Sequence, residues 1–326
     1  MHGIKLLGLR PLIMNASLKI GTRGSKLALW QAHWVRSAIR EHHPDILVDL
    51  VIIKTQGDKI LDVPLASVGG KGLFVKEIEE ALLQGRVDLA VHSMKDMPAD
   101  LPKGLCIGPV PEREAAADVL ISKNNLSFDQ LPPGACIGTS SLRRGAQLRH
   151  ARTDITILPL RGNLDTRLRK LDSDTEGLDA IVLAAAGVRR LELENRITEH
   201  LDYKIMLPAV GQGALCIEVR ENDPAADMLA VLNHPPTKIA VLGERAFLNR
   251  LEGSCQVPIA AHGIIENNQF FIEGLVADVD GRTVLRKSAV GRQESSDKIG
   301  VDLAERLLDM GADEILAKLT AENNPR

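Results

Sequence analysis

The chain reads as an α/β protein: two βα-alternating domains followed by a small α+β domain. Three observations predict this. Short apolar runs that read as strands alternate with helix-period segments from residue 18 to about 219. Several strand ends run straight into Gly, Ser, Lys or Arg, the kind of place where open α/β sheets hold ligands. From about residue 235 the pattern becomes one helix, two strands joined around Asp280-Gly281, and two closing helices.

Residues 18–22 read as a strand leading into Arg23-Gly24-Ser25. A helix follows from 26 to about 42, with Leu27, Trp30, Trp34 and Ile39 as its buried positions. Residues 48–55 form a β-rich strand. Residues 56–72 hold four glycines without periodicity and read as a long loop, a lid over the site. A helix over 73–84 spaces Phe74, Ile78 and Leu82 by four. Then Leu89, Ala90 and Val91 open a buried strand that ends in His92, Ser93, Lys95, Asp96 and Pro98. Past Pro109 and Pro111, strands at 135–138, 155–160 and 180–184 each deliver arginine. One helix reaches to about Arg149, and the helix after the 155–160 strand sets Leu164, Leu168 and Leu171 on one face. Residues 207–214 read as a crossover between domains, and 215–219 as a returning strand. A helix at 238–251, strands at 270–278 and 283–289, and helices at 301–310 and 312–319 broken at Gly311 complete the chain. No internal repeat is visible. The resulting division is an N-terminal extension at 1–17, a first domain at 18–112 and 213–233, a second at 113–212, and a third at 234–326.

Composition removes several function classes. With 326 residues, 44% hydrophobic and 25% charged, the chain has ordinary globular composition. A net charge of -3 and only 2% aromatic residues argue against nucleic acid as a partner. Cys106, Cys136, Cys216 and Cys255 form no Cys-x-x-Cys pair, so neither a metal site nor a disulfide framework is expected. No apolar run approaches the ~20 residues needed to cross a bilayer. The expectation is a reduced, cytoplasmic protein.

Two constellations carry chemistry. Arg143, Arg144, Arg161, Arg167, Arg189 and Arg190 follow three predicted strands or lie a helical turn beyond, and Arg23 holds the same position in the first domain. A planar guanidinium fork grips carboxylate or phosphate, and helix N-termini there add N–H donors. No phosphate loop is present, because Val68-Gly-Gly-Lys-Gly72 lacks the spacing and a following Ser or Thr, so a polycarboxylate fits as well as a phosphate. The second constellation is Cys255, between Gly253-Ser254 and Gln256-Val257-Pro258. That loop is sterically permissive and suits a thiol that carries something bulky, although a lone Cys is also read as a small buried hydrophobe.

A set of blocks then resembles the porphobilinogen deaminase (hydroxymethylbilane synthase) family. They are Thr22-Arg-Gly-Ser-Lys-Leu-Ala28, Val68-Gly-Gly-Lys-Gly-Leu-Phe74, Ala90-Val-His-Ser-Met-Lys-Asp-Met-Pro98, Gly138-Thr-Ser-Ser-Leu-Arg-Arg144, Leu160-Arg-Gly-Asn163, Leu207-Pro-Ala-Val-Gly-Gln-Gly-Ala214, Glu244-Arg-Ala246 and Leu251-Glu-Gly-Ser-Cys-Gln-Val-Pro258. They run in the family's order over about 18–320. Ser254, where Gly is common in the family, and the N-terminal extension depart from the pattern. The resemblance implies two periplasmic-binding-protein-like (type II) domains with mixed sheets and a third domain carrying a dipyrromethane cofactor, attached by a thioether to Cys255. It implies four head-to-tail condensations of porphobilinogen with loss of ammonia, and release of hydroxymethylbilane. The product would pass to uroporphyrinogen-III synthase, and the protein would act as a monomer. By the same resemblance Asp96 is catalytic, stabilising the azafulvene and the protonated pyrrole. Cys255, Lys95, Asp96, Thr139, Ser140, Ser141, Arg143, Arg144, Arg161 and Gly187 hold the cofactor, and Arg23, Ser25, Gln31, Lys71, Phe74, Arg161, Arg167 and Arg190 meet substrate. Rival readings are a non-catalytic two-domain anion-binding protein, which needs neither Lys95-Asp96 nor Cys255, and a phosphoryl-transfer enzyme, which needs a phosphate loop.

Overall fold

The computed structural model describes residues 17–59, 72–251 and 257–323. In chain order the elements are β1 (Ser17–Thr22), α1 (Lys26–His42), β2 (Leu47–Ile52), α2 (Lys76–Leu83), β3 (Leu89–Ser93), β4 (Leu105–Ile107), β5 (Asp118–Ser122), β6 (Cys136–Gly138), α3 (Leu142–Ala151), β7 (Thr156–Leu158), α4 (Leu164–Asp172), β8 (Ala180–Ala184), α5 (Ala185–Arg190), β9 (Glu199–His200), β10 (Leu215–Arg220), α6 (Pro224–Leu229), α7 (Pro235–Arg250), β11 (Ile259–Glu266), β12 (Gln269–Ala277), β13 (Val284–Arg292), α8 (Ser296–Leu307) and α9 (Asp313–Asn323).

These strands make three sheets, in the orders β2-β1-β3-β10-β4, β7-β6-β8-β5-β9 and β11-β12-β13. In the first, β1 runs parallel to β2 and β3, while β10 is antiparallel to β3 and β4. In the second, β6 runs parallel to β7 and β8, while β5 is antiparallel to β8 and β9. The two mixed sheets therefore share one order. The chain leaves the first after β4 and returns as β10, so two segments cross between them, as in type II periplasmic-binding-protein folds. The crossing segments touch: a Cβ on Gly213 (φ +88°) would lie 2.2 Å from the Glu114 carbonyl oxygen, so only glycine fits.

Each large sheet is covered on both faces. Ile20, Val91 and Ile217 pack against α1 and α6, and Val87 and Ala90 against α2. Ile137, Val182 and Leu148 fill one side of the second sheet, and Ile181, Leu168 and Val188 the other. The antiparallel third sheet packs Phe270, Ile272 and Val276 onto Phe247 of α7 and Leu303 of α8. These helices cross closely, since a Cβ on Gly300 would meet the Gly243 carbonyl at 2.2 Å.

Several sequence expectations need correction. On α1 the buried face is Gln31, Ala32, Val35 and Ile39, and Trp34 is 40% exposed. Both sets satisfy helical spacing, and the sheet selects the one centred on Ala32 and Val35. The loop expected over 56–72 begins with a helical turn, Gln56–Lys59, and its remainder to 71 lies outside the described residues. Strands β5, β9 and β11 are not anticipated by the sequence pattern. The strand expected over 155–160 spans Thr156–Leu158, and the helix expected at 238–251 starts earlier, at Pro235. The break at Gly311 is present (φ +98°).

Candidate active site

β3 lies at the centre of the first sheet and carries the catalytic candidates to its carboxyl end. A single 3-10 turn, Met94–Asp96, follows it. Met94 is buried, and its N–H donates to the Ala214 carbonyl at 3.0 Å, which pins the turn to the returning crossing segment. This leaves Asp96 exposed to the cleft and Lys95 half-buried, its Nζ 3.2 Å from Gln212 Oε1. Burial and then the charge of Arg144 pull the Lys95 ammonium down to about 8, against the opposite pull of Asp96 and Asp118.

Around this turn the first sheet forms one wall. Ser25 caps α1 by accepting from the Ala28 N–H at 3.3 Å. The Arg23 guanidinium stacks 4.2 Å from the Phe74 ring centroid. Gln31, buried in α1, donates to Ser93 Oγ at 2.9 Å. Arg23, Ser25, Gln31, Phe74, Ser93 and Asp96 border one small cavity of about 60 Å³. Five of these six are residues the sequence proposed for the site.

The second sheet supplies the other wall. Ser140 Oγ donates to the Leu160 carbonyl at 2.9 Å and accepts from its N–H at 3.0 Å, locking two strand-end loops together. Thr139 Oγ1 accepts from the Ser141 N–H, and Ser141 caps α3 by accepting from the Arg144 N–H at 3.4 Å. Arg143 and Arg144 are almost fully buried. Arg144 donates through Nε (3.0 Å) and Nη2 (2.7 Å) to Asp118 Oδ1, and through Nη1 to the Val182 carbonyl. Arg143 Nη1 donates to the Leu207 carbonyl at 2.7 Å and lies 2.8 Å from Asp118 Oδ2. Burial alone would raise the Asp118 carboxyl; the two guanidiniums overcome that and hold it at about 2.

Arg167 donates to the Gly162 carbonyl at 2.8 Å, and burial followed by the charge of Arg144 lowers it to about 10. Asp96 and Arg161 also act on it, so Arg144, Arg161, Arg167 and Asp96 share one electrostatic neighbourhood. Arg190 donates to the Gly213 carbonyl at 2.7 Å and lies over Trp30, with burial lowering it to about 10. A Cβ on Gly187 would touch Leu164 and, across the cleft, Leu27, each at 3.5 Å. Arg189 pairs with Glu114 and Glu194 and is not brought into the cluster. Cys255 and Lys71 lie outside the described residues.

Sequence reasoning missed Asp118 and Gln212. Asp118 opens a strand that a preceding Ala115-Ala-Ala117 run obscures, and Gln212 lies in a stretch that reads as a connection. Among the described residues no group of three or more His, Cys, Asp or Glu is placed to hold a metal. No described helix is long and apolar enough to cross a membrane.

Fold and site together define an α/β protein that gathers arginines and one lysine beside an exposed carboxylate, Asp96. The family description "Porphobilinogen deaminase, dipyromethane cofactor binding domain" matches residues 18–228, and "Porphobilinogen deaminase, C-terminal domain" matches 238–309. Porphobilinogen deaminase of Syntrophotalea carbinolica is 53% identical over 312 residues, covering 95% of this chain and 98% of its own. That of Pelobacter propionicus is 53% identical over 303 residues, covering 93% and 97%. The chain belongs to the porphobilinogen deaminase family: it is a transferase of tetrapyrrole biosynthesis that acts on porphobilinogen and has a dipyrromethane cofactor domain. Among solved structures, the alkanesulfonate-binding protein SsuA of Xanthomonas axonopodis pv. citri aligns over 73% of this chain and 75% of its own, at TM-score 0.36 and 16% identity, too distant to bear on ligand or mechanism.

Proposed function

We propose that Asp96 is the catalytic carboxylate of four successive head-to-tail condensations of porphobilinogen, and that the dipyrromethane is held through Cys255. The observation that carries this reading is Asp96 standing open to the cleft beside Lys95 and within the electrostatic neighbourhood of Arg167. Arg143 Nε is a buried donor without a partner, and the donors beside it are Arg144 and Lys95. A carboxylate-bearing dipyrrole suits that set. When bound, it would supply the free pyrrole carbon to which the first unit is joined, each later unit joining the ring added before it.

The chain's own residues do the rest. Arg143, Arg144, Lys95 and the Thr139-Ser140-Ser141 turn hold the cofactor's carboxylates, with Arg161 and Gly187 bordering it. Arg23, Ser25, Gln31, Phe74, Arg161, Arg167, Arg190 and Lys71 orient the acetate and propionate of the incoming substrate. Asp96 repels those carboxylates in the ground state. It attracts the positive charge that develops on the substrate pyrrole as ammonia leaves, and an interaction confined to the transition state raises turnover.

We further assign domains to 18–112 with 213–233, to 113–212 and to 234–326, a monomeric state, a cytoplasmic location, and hand-over of product to uroporphyrinogen-III synthase. Intact mass under denaturing conditions tests the cofactor assignment. Wild type carries the mass of a dipyrrole above its sequence mass, and Cys255→Ser lacks it. Burial raises the thiols of Cys216 and Cys106, which makes both poor nucleophiles, and Ala variants at 106, 136 and 216 keep the load. A normally loaded Cys255→Ser sinks the assignment.

A further inference from the structure

We propose that Glu244 and Arg245, adjacent on α7, are positioning residues for the condensation: they fix the catalytic turn and the crossing segments to the C-terminal unit. Arg245 Nη2 donates to the carbonyls of Pro98 and Ala99, at 2.8 Å each, just past the Met94–Asp96 turn. Glu244, with no exposed surface, accepts from the N–H groups of Gly211 (2.6 Å) and Gly263 (2.7 Å) and pairs with both terminal nitrogens of Arg113. Arg113 Nε donates to the Gln212 carbonyl at 2.7 Å. The Gln212 side chain accepts from Lys95 Nζ at 3.2 Å and donates to the Ala116 carbonyl at 2.6 Å.

Two neighbouring side chains of one helix thus reach the catalytic turn from two sides. Arg245 holds the backbone after Asp96, and Glu244 acts through Arg113 and Gln212 on Lys95. Stability alone is a weak reason for this arrangement, since apolar side chains of equal volume commonly replace buried ion pairs without loss. Forked charge-assisted bonds instead fix direction. Asp96 needs that direction, because a displacement of about 1 Å costs up to ~10²-fold in rate. In sequence, α7 ends at Arg250, five residues before Cys255, so the same helix leads towards the proposed attachment residue. The inference rests on Asp96 being the catalytic carboxylate.

The test uses holoenzyme of Arg245→Gln and Arg245→Lys, with Leu303→Ala in the α7–α8 core as a stability control. Arg245→Gln is expected to keep its cofactor mass and a KM within about twofold, and to lose on the order of 10- to 100-fold in kcat. Arg245→Lys, which retains a charged donor, recovers part of that loss, and Leu303→Ala keeps its kcat. Wild-type kcat in folded Arg245→Gln, or an equal loss in Leu303→Ala, overturns the proposal. If Arg245→Gln does not fold, Glu244→Gln is read in the same way; failure of both to fold makes these contacts a folding requirement and overturns it too. Asp96→Asn, assayed in parallel, separates the two ideas. Normal turnover there removes the reading of Asp96, whereas an impaired Asp96→Asn beside a wild-type-like Arg245→Gln removes only the positioning role.

Discussion

The first and second sheets are the same scaffold carrying different chemistry. β1 corresponds to β6 and β3 to β8, and each sheet has one antiparallel strand beside that third position. After β1 and β6 a serine caps the next helix, Ser25 in one and Ser141 in the other. After β3, however, the chain makes a tight turn that sets a lysine and a carboxylate at the cleft, while after β8 it enters α5 directly and delivers Arg190. Arg143 and Arg144 of the second wall lie buried on a resident carboxylate, Asp118, whereas Asp96 of the first wall is exposed. Position on the scaffold decides access to the cleft; residue type and burial decide whether a group is held rigid for binding or left open for a transient charge.

The largest expected effect follows from neutralising Asp96. Asp96→Asn, reconstituted with preformed tetrapyrrole product before assay, is expected to lower kcat by ~10²–10³, the scale of one preorganised electrostatic partner. Asp96→Glu keeps the charge and retains more activity. A loaded Asp96→Asn in which only KM changes would erase the contrast between the walls.

On the other wall, Arg144→Leu is expected to cost ~1.5–3 kcal/mol in cofactor binding and to accumulate apoprotein, read as missing mass. Full loading with normal turnover would show that Asp118, not the cofactor, is the partner that matters to Arg144.

A third test concerns the support behind the first wall. Glu79, buried in α2, is raised to about 7 by burial and by the charges of Glu218 and Glu80. The folded chain therefore holds a proton that the unfolded chain releases near the ordinary glutamate value of 4.5. The stability this contributes is complete below the unfolded value and is lost as pH rises through about 7. Glu79→Gln should flatten the pH dependence of denaturant midpoints across that window by on the order of 1–2 kcal/mol after allowance for solvent screening. Parallel wild-type and variant curves would refute it.

The smallest effect separates lysine from arginine at the cleft. Lys95 loses its proton as pH rises through about 8, so its grip on a carboxylate weakens above that pH. In wild type kcat/KM should fall about tenfold per pH unit beyond it, and Lys95→Arg, which stays charged, should move this limb to higher pH. An alkaline limb that does not move assigns it to another group.

Much of this was legible locally. Leu89-Ala90-Val91 flanked by polar residues reads as a buried strand, and the strand-end arginines announce themselves by type and position. The proposed role of Cys255 comes from the resemblance, and Cys255 lies outside the described residues. β5 was not legible, because three alanines before Asp118 suit helix and strand alike.

The sequence by itself determined most of the elements, their polar ends and the cationic character of the strand ends, because periodicity reflects free energies of neighbouring residues. Only the tertiary structure decided that Arg143 and Arg144 share Asp118, that Arg189 turns away to Glu114, and that Trp34 yields its expected burial to Ala32 and Val35. It alone brought Gln212 to Lys95 and Arg245 to Pro98, pairings across 117 and 147 residues. Such contacts depend on how sheets and helices stack, and no local spacing records which distant partner a buried charge will find.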